Sequence, residues 1–168
     1  LAPAEAENLF RWMQTDISWQ TETISLYGKV HQVPRLIAWI GEQGLNYRYS
    51  GKSHAGEGWP SQLGQLRTRV SRELGETPNF LLLNRYQDGS DSMGWHRDDE
   101  TGHGTTIASL SLGATRKFLI REEGAPRSQS LTLTSGSLLL FDGRVRHALP
   151  KTRRRIGERI NLTFRVLQ

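Results

Sequence analysis

The chain has no cysteine among its 168 residues, so disulfides and thiolate metal centres are excluded and any metal must be held by histidine and carboxylate. It also lacks an apolar run approaching the eighteen or so residues a membrane-spanning helix requires, so no membrane partner is expected. Internal repeats and low-complexity tracts are absent, which sets aside solenoids and disordered linkers. No signal peptide is read at the start, which is Leu1 and not Met. The expectation is an intracellular protein, cytoplasmic in a bacterium or nuclear in a eukaryote. Acidic excess is missing as well: 22 Lys and Arg face 17 Asp and Glu, a net charge of +5 that favours polyanionic partners and says nothing about fold.

What is present reads as one domain over residues 1–168, expected to act as a monomer. Ala4 to Met13 carries Leu9, Phe10, Trp12 and Met13 among polar residues, as a short amphipathic helix does. Residues 20 to 51, with Val33-Pro34, read as loops and short strands. Gly58-Trp59-Pro60-Ser61 opens a second helix in which Leu63, Leu66, Val70 and Leu74 recur at helical spacing, and Gly75 closes it. From Asn79 the chain breaks into short β runs: 80–86, 106–112, 117–121, 130–134, 137–141 and 159–166. Two helices followed by many short strands predict an α+β fold, in which helices buttress a double-sheet jelly roll.

His96 and Asp98 are one residue apart, so on an extended segment both point to the same side and can bind one ion. His147 is the third donor, preferred over His103, which lies only five residues from Asp98; His31 and His54 read as solvated. Two histidines and one carboxylate leave three positions open on an octahedral metal, as in the facial triad of Fe(II) oxygenases. Each of these residues, taken alone, reads more simply as a polar surface group.

Arg159-Ile-Asn-Leu-Thr-Phe-Arg165 alternates strictly, with Arg159, Asn161, Thr163 and Arg165 on one face and apolar residues on the other. In water that polar face is ordinary. Inside a barrel it would bury two guanidinium groups, which only an anionic partner such as a dicarboxylate could compensate.

His96-Arg-Asp98, a distal His147 and Arg159-x5-Arg165 together resemble the signature of the AlkB family, dioxygenases that depend on Fe(II) and 2-oxoglutarate. Asn84-Arg-Tyr86 is similar to the family's Asn-x-Tyr before the metal motif. The resemblance runs from about Leu26 to Val166 and is closest in motif to the animal homologues that repair duplex DNA. It implies a double-stranded β-helix core over 79–168 and a nucleotide-recognition lid over about 20–55. It implies iron on His96, Asp98 and His147, with O2 as the oxidant. It further implies 2-oxoglutarate held by Arg159 at its distal carboxylate, by Asn84, Tyr86, Asn161 and Thr163, and by Arg165 near the keto-acid end.

The implied reaction is oxidative demethylation of N-alkylated bases, of the 1-methyladenine and 3-methylcytosine type, with release of succinate and formaldehyde. The implied substrate is alkylated DNA. RNA is the alternative substrate, and a non-catalytic nucleic-acid-binding jelly roll the alternative role. Because a duplex hides the methylated edge, the base must be flipped or unpaired. Tyr49 is nominated to stack on it opposite the His96 ring, with Tyr47 beside it, although the two tyrosines also read as one face of a strand. Glu100 is placed near the exocyclic nitrogen, or in the solvated run Asp98-Asp-Glu. Tyr27, with Leu26, resembles a hairpin wedge and reads otherwise as a plain turn. Six basic residues and no acid between Arg144 and Arg155 suit phosphate contacts, or form a solvated loop. Phe141-Asp-Gly-Arg-Val-Arg, before His147, departs from the Pro-Thr-Asn-like loop of some animal members.

Overall fold

The computed structural model describes residues 1–26, 29–49, 52–98 and 106–167, with backbone alone for 24–26, 29–31, 47–49 and 52–54. Tyr27, Glu100 and His103 lie outside the described residues, as do the side chains of His31, Tyr47, Tyr49 and His54.

Helix α1 (Pro3–Asp16) starts on Pro3, whose missing N–H costs nothing in a first turn, and buries Ala6 and Met13. Helix α2 (Gly64–Leu74) follows a single 3-10 turn at Ser61–Leu63 and buries Leu66 and Val70. It stops at Gly75, which takes φ 74° and donates its N–H to the Ser71 carbonyl, a left-handed cap that suits glycine. The predicted helix therefore begins about a turn later as α-helix but ends where expected.

The strands are β1 (Gln20–Leu26), β2 (Lys29–Gly41), β3 (Asn46–Tyr49), β4 (Lys52–Ala55), β5 (Phe80–Tyr86), β6 (Met93–His96), β7 (Thr106–Gly113), β8 (Arg116–Arg121), β9 (Gln129–Leu133), β10 (Leu138–Asp142), β11 (Arg146–Leu149) and β12 (Arg159–Arg165). They form a six-stranded sheet in the order β1-β2-β5-β12-β7-β10, a four-stranded sheet β6-β11-β8-β9 and a β3-β4 hairpin. This is the double-sheet jelly roll with helices against it. Among the described residues, no helix is long and apolar enough to cross a membrane.

The alternation in β12 organises the core. Ile160, Leu162 and Phe164 pack outward with Leu81 and Leu83 of β5, Ala108, Leu110 and Leu112 of β7, and the buried residues of both helices. This layer is the largest buried apolar cluster among the described residues, and each Å² of apolar surface it removes from water contributes roughly 25 cal/mol. The opposite, polar face of β12 looks into the space between the two sheets.

Residues 20–41 correct the reading as loops and short strands, since β2 is thirteen residues long and sits within the larger sheet. Pro34 is tolerated because the β1–β2 register slips there: Thr21 pairs with Leu36 and Thr23 with Gln32, a bulge in which the missing N–H breaks no ladder bond. The Pro34 carbonyl accepts instead from Ser92 N–H at 3.1 Å, tying the bulge to the segment before β6.

Candidate metal and co-substrate site

Register aligns the cavity floor. Arg159 lies opposite Tyr86 and Gly113, Asn161 opposite Asn84 and Ser111, and Thr163 opposite Leu82 and Ser109. Directly opposed residues share a face, so Asn84, Tyr86, Arg159, Asn161, Thr163 and Arg165 line one cavity, as the sequence suggested, joined by Ser109. The opposite wall, from the smaller sheet and its loops, contributes His96, Asp98, Phe118 and His147.

His96 pairs with His147 across β6 and β11, which places their ring centroids 4.1 Å apart. Asp98 closes the group. Its carboxylate oxygens lie 3.8 Å from His96 Nε2 and 3.6 Å from His147 Nε2, and one donor atom from each residue falls within 4.8 Å of the others. Both Nδ1 atoms lie 2.8 Å from a backbone carbonyl, Gly94 for His96 and Val145 for His147. A carbonyl can only accept, so each Nδ1 carries the proton and each Nε2 offers its lone pair into the cavity. Burial, and then the nearby His147, hold the His96 pKa below its ordinary value, which favours the neutral, ligating ring. Burial pushes the Asp98 pKa up, but the adjacent His147 ring and the Arg165 guanidinium outweigh it, leaving the carboxylate well below its usual range.

The two arginines are buried as the sequence predicted for a barrel interior. Arg159 is 1% exposed and Arg165 2% exposed. Arg165 donates to Asp98 at 2.9 Å, but its Nε and Nη1 have no hydrogen-bond partner among the described residues. Arg159 donates to Ser111 Oγ at 2.9 Å, its Nε is likewise unpartnered, and burial pulls its pKa down to about 10. Among the described residues, these two buried guanidinium groups against one carboxylate leave unsatisfied positive charge and free N–H donors in the same cavity. A dicarboxylate fits that deficit, and a donor set of two histidines and one aspartate fits a ferrous ion with open positions.

Several site residues escaped the sequence. Arg35, buried at the β2 bulge, donates from Nε to Asn84 Oδ1 at 2.7 Å and so orients the amide that faces the cavity. Ser109 accepts from Asn161 Nδ2 at 2.8 Å, and Ser111 accepts from Arg159. Both serines follow from register with β12. Arg116 is buried, donates to the carbonyls of Asp88, Asp91 and Pro150, and thereby clamps the loops flanking β6 and β11. Gly143 accepts the Asp98 N–H at 2.8 Å, and a Cβ there would come within 2.6 Å of the Asp98 carbonyl.

Comparison with known proteins agrees with this geometry. The family model described as 2OG-Fe(II) oxygenase superfamily matches residues 1–165. The mouse protein named DNA oxidative demethylase ALKBH2 is 38% identical over 96% of this chain and 75% of its own length. The human protein of that name is 37% identical over 96% of this chain and 69% of its own. The human protein named alpha-ketoglutarate-dependent dioxygenase alkB homolog 3 is 35% identical over 97% of this chain and 62% of its own. Among solved structures, a 2OG-Fe(II) oxygenase family oxidoreductase from Burkholderia pseudomallei superposes with a TM-score of 0.66 at 16% identity, over 94% of this chain and 76% of that one, a likeness of fold.

Proposed function

Because the chain belongs to the 2OG-Fe(II) oxygenase superfamily, and within it to the AlkB family, with Fe(II), 2-oxoglutarate and O2 as its cofactors, we propose that it is an oxidative demethylase of N-alkylated bases in DNA. The observation that carries the reading is one cavity holding both a two-histidine, one-aspartate donor set and two undercompensated buried arginines. When bound, the cofactors couple decarboxylation of 2-oxoglutarate to succinate and CO2 with hydroxylation of an N-methyl carbon, which then leaves as formaldehyde and frees the base.

His96, Asp98 and His147 hold the iron, with both rings fixed in the ligating tautomer by their Nδ1–H bonds. Arg159 pairs with the distal carboxylate of 2-oxoglutarate. Asn84, Tyr86, Asn161 and Thr163 line its length, and Arg165, braced on Asp98, meets the keto-acid end. Phe118 and Phe141 pack their rings within 5.5 and 4.8 Å of the His147 ring and keep water from that side of the site. In this reading Tyr49 stacks on the flipped base opposite His96, with Tyr47 beside it and Glu100 at the exocyclic nitrogen. Tyr27 fills the gap left in the stack. Residues 1–168 act as one monomeric domain, with recognition hairpins over about 20–55 and the jelly roll over 79–168.

DNA as substrate is supported by the activity for which the ALKBH2 relatives are named and by a basic groove lined by Lys117, Lys151, Arg153 and Arg154. The test is mass spectrometry of a 1-methyladenine oligodeoxynucleotide incubated with enzyme, Fe(II) and 2-oxoglutarate. A loss of one CH2 that requires all three supports the reading. An unchanged mass with DNA, alongside conversion of the matched RNA, would replace it with RNA demethylation.

A further inference from the structure

Alternation puts the His96 and His147 rings inside the cavity, so Trp95 and Arg146, one step away on each strand, stand on the outward face of the four-stranded sheet. There Arg146 pairs directly with Arg121 of β8. The same antiparallel run brings Arg97, which follows His96, alongside Arg146. All three arginines are exposed, on three adjacent segments, and like charges directly opposed across strands destabilise a sheet.

Compensation among the described residues is thin. Arg97 has Glu123 at 3.9 Å, and that carboxylate is 91% exposed. Arg121 donates to the neutral Ala125 carbonyl at 3.2 Å. Arg146 lies 5.9 Å over the Trp95 ring, which is itself 40% exposed. Two other exposed arginines, by contrast, have acids at close range: Arg144 has Asp142 and Arg69 has Glu5, each at 2.6 Å. A row of arginines only weakly matched by acids among the described residues, beside a solvent-facing indole, asks for a partner with both negative charge and flat aromatic faces.

We propose that Arg97, Arg121, Arg146 and Trp95 form a resting surface for the nucleic-acid strand flanking the target base, with phosphates on the arginines and an unpaired base on the indole. The assignment rests on the demethylase reading and adds the path of the strand past the site. An acidic peptide would satisfy the guanidinium groups but has no use for the indole face. A nucleotide chain uses both, through charge-assisted hydrogen bonds and base stacking.

Fluorescence polarisation of a labelled, unmodified single-stranded oligonucleotide, titrated across salt concentrations, tests it. Arg121→Ala/Arg146→Ala should weaken binding about tenfold and flatten the slope of log affinity against log salt by about 1.4, two phosphates at about 0.7 each. Arg121→Lys/Arg146→Lys should keep the wild-type slope, and Arg69→Ala on α2 should stay within about twofold of wild type. Should the double alanine variant fail to fold, Arg121→Gln carries the same test with half the slope change. Trp95→Ala should cost about fivefold or more on an intact strand and little on an abasic strand of equal length. An unchanged salt slope in the folded arginine variants overturns the row while leaving the demethylase reading intact. Equal competition by polyglutamate of matched charge overturns the choice of nucleic acid. Absence of wild-type binding at low salt overturns the row and the nucleic-acid reading together.

Discussion

Arg165 Nη2 and Asp98 Oδ2 stand 2.9 Å apart, with the arginine 2% exposed, so the acid of the candidate metal triad is also the carboxylate partner of a buried guanidinium. Sequence alone suggests that Asp98 is an accessible carboxylate, removable at little cost to folding. The ion pair reverses that expectation.

Asp98→Ala is therefore expected to abolish turnover and also to destabilise the metal-free protein. Removing one partner of a buried pair leaves the other charge uncompensated, at a cost of about 3–5 kcal/mol. Denaturant unfolding in the presence of chelator checks this. A variant as stable as wild type would show that Arg165 finds another partner, and retained iron-dependent turnover would remove Asp98 from the triad.

Among the described residues Arg159 is buried around a single hydroxyl acceptor, so its charge is poorly served until a carboxylate arrives. Arg159→Ala should raise the 2-oxoglutarate KM roughly ten- to hundredfold, matching a charged hydrogen bond of about 1.5–3 kcal/mol. Saturating 2-oxoglutarate should raise the Tm of the wild type, by mass action, much more than that of the variant. Equal thermal shifts in both proteins would remove Arg159 from the co-substrate clamp.

Burial raises the Tyr86 pKa above the ordinary 10.0, against the opposing pull of Arg159, Arg35 and Arg116. The folded protein thus keeps a proton that the unfolded chain releases. That stabilisation is complete below about pH 10 and is lost as pH rises through the higher folded value. Tyr86→Phe has no such proton, so the stability difference between wild type and variant should change by up to about 1.4 kcal/mol per pH unit above pH 10. Parallel profiles would show that Tyr86 reaches solvent.

Gly143→Ala should reduce activity at least about tenfold, because a methyl group there meets the Asp98 carbonyl at 2.6 Å and Ile107 Cδ1 at 2.8 Å. Displacing a metal ligand by even about 1 Å can cost a hundredfold in rate. Wild-type kcat with an unchanged iron requirement would show that the 142–145 turn relaxes without moving Asp98.

Legibility followed the strength of local pattern. The β12 strand was readable end to end because its alternation spans seven residues, and its polar half marked residues that line the cavity proposed for the co-substrate. His-x-Asp and a distal histidine nominated the candidate triad only beside the arginine strand, since each residue alone reads as a polar surface group. By contrast, β6 and β11 carry Gly94, Trp95 and Arg146 in only four residues each, and their strand state comes from pairing with each other and with β8. The β2 strand was hidden by Pro34, which only a bulge makes compatible with a sheet. Arg35 enters the site through that same bulge, so no one-dimensional pattern marks it. Ser109 and Ser111 become legible once β7 is set beside β12. The base-contact assignments to Tyr27, Tyr47, Tyr49 and Glu100 rest on resemblance and lie beyond the described side chains.

The most direct measurement is succinate release from 2-oxoglutarate by iron-loaded protein, alone and with oligonucleotides that differ in a single N-methyl group. The account predicts that the 1-methyladenine or 3-methylcytosine strand stimulates succinate release severalfold over its unmethylated twin, with one formaldehyde for each additional succinate. Equal rates with both strands, or stimulated succinate without formaldehyde, would contradict it.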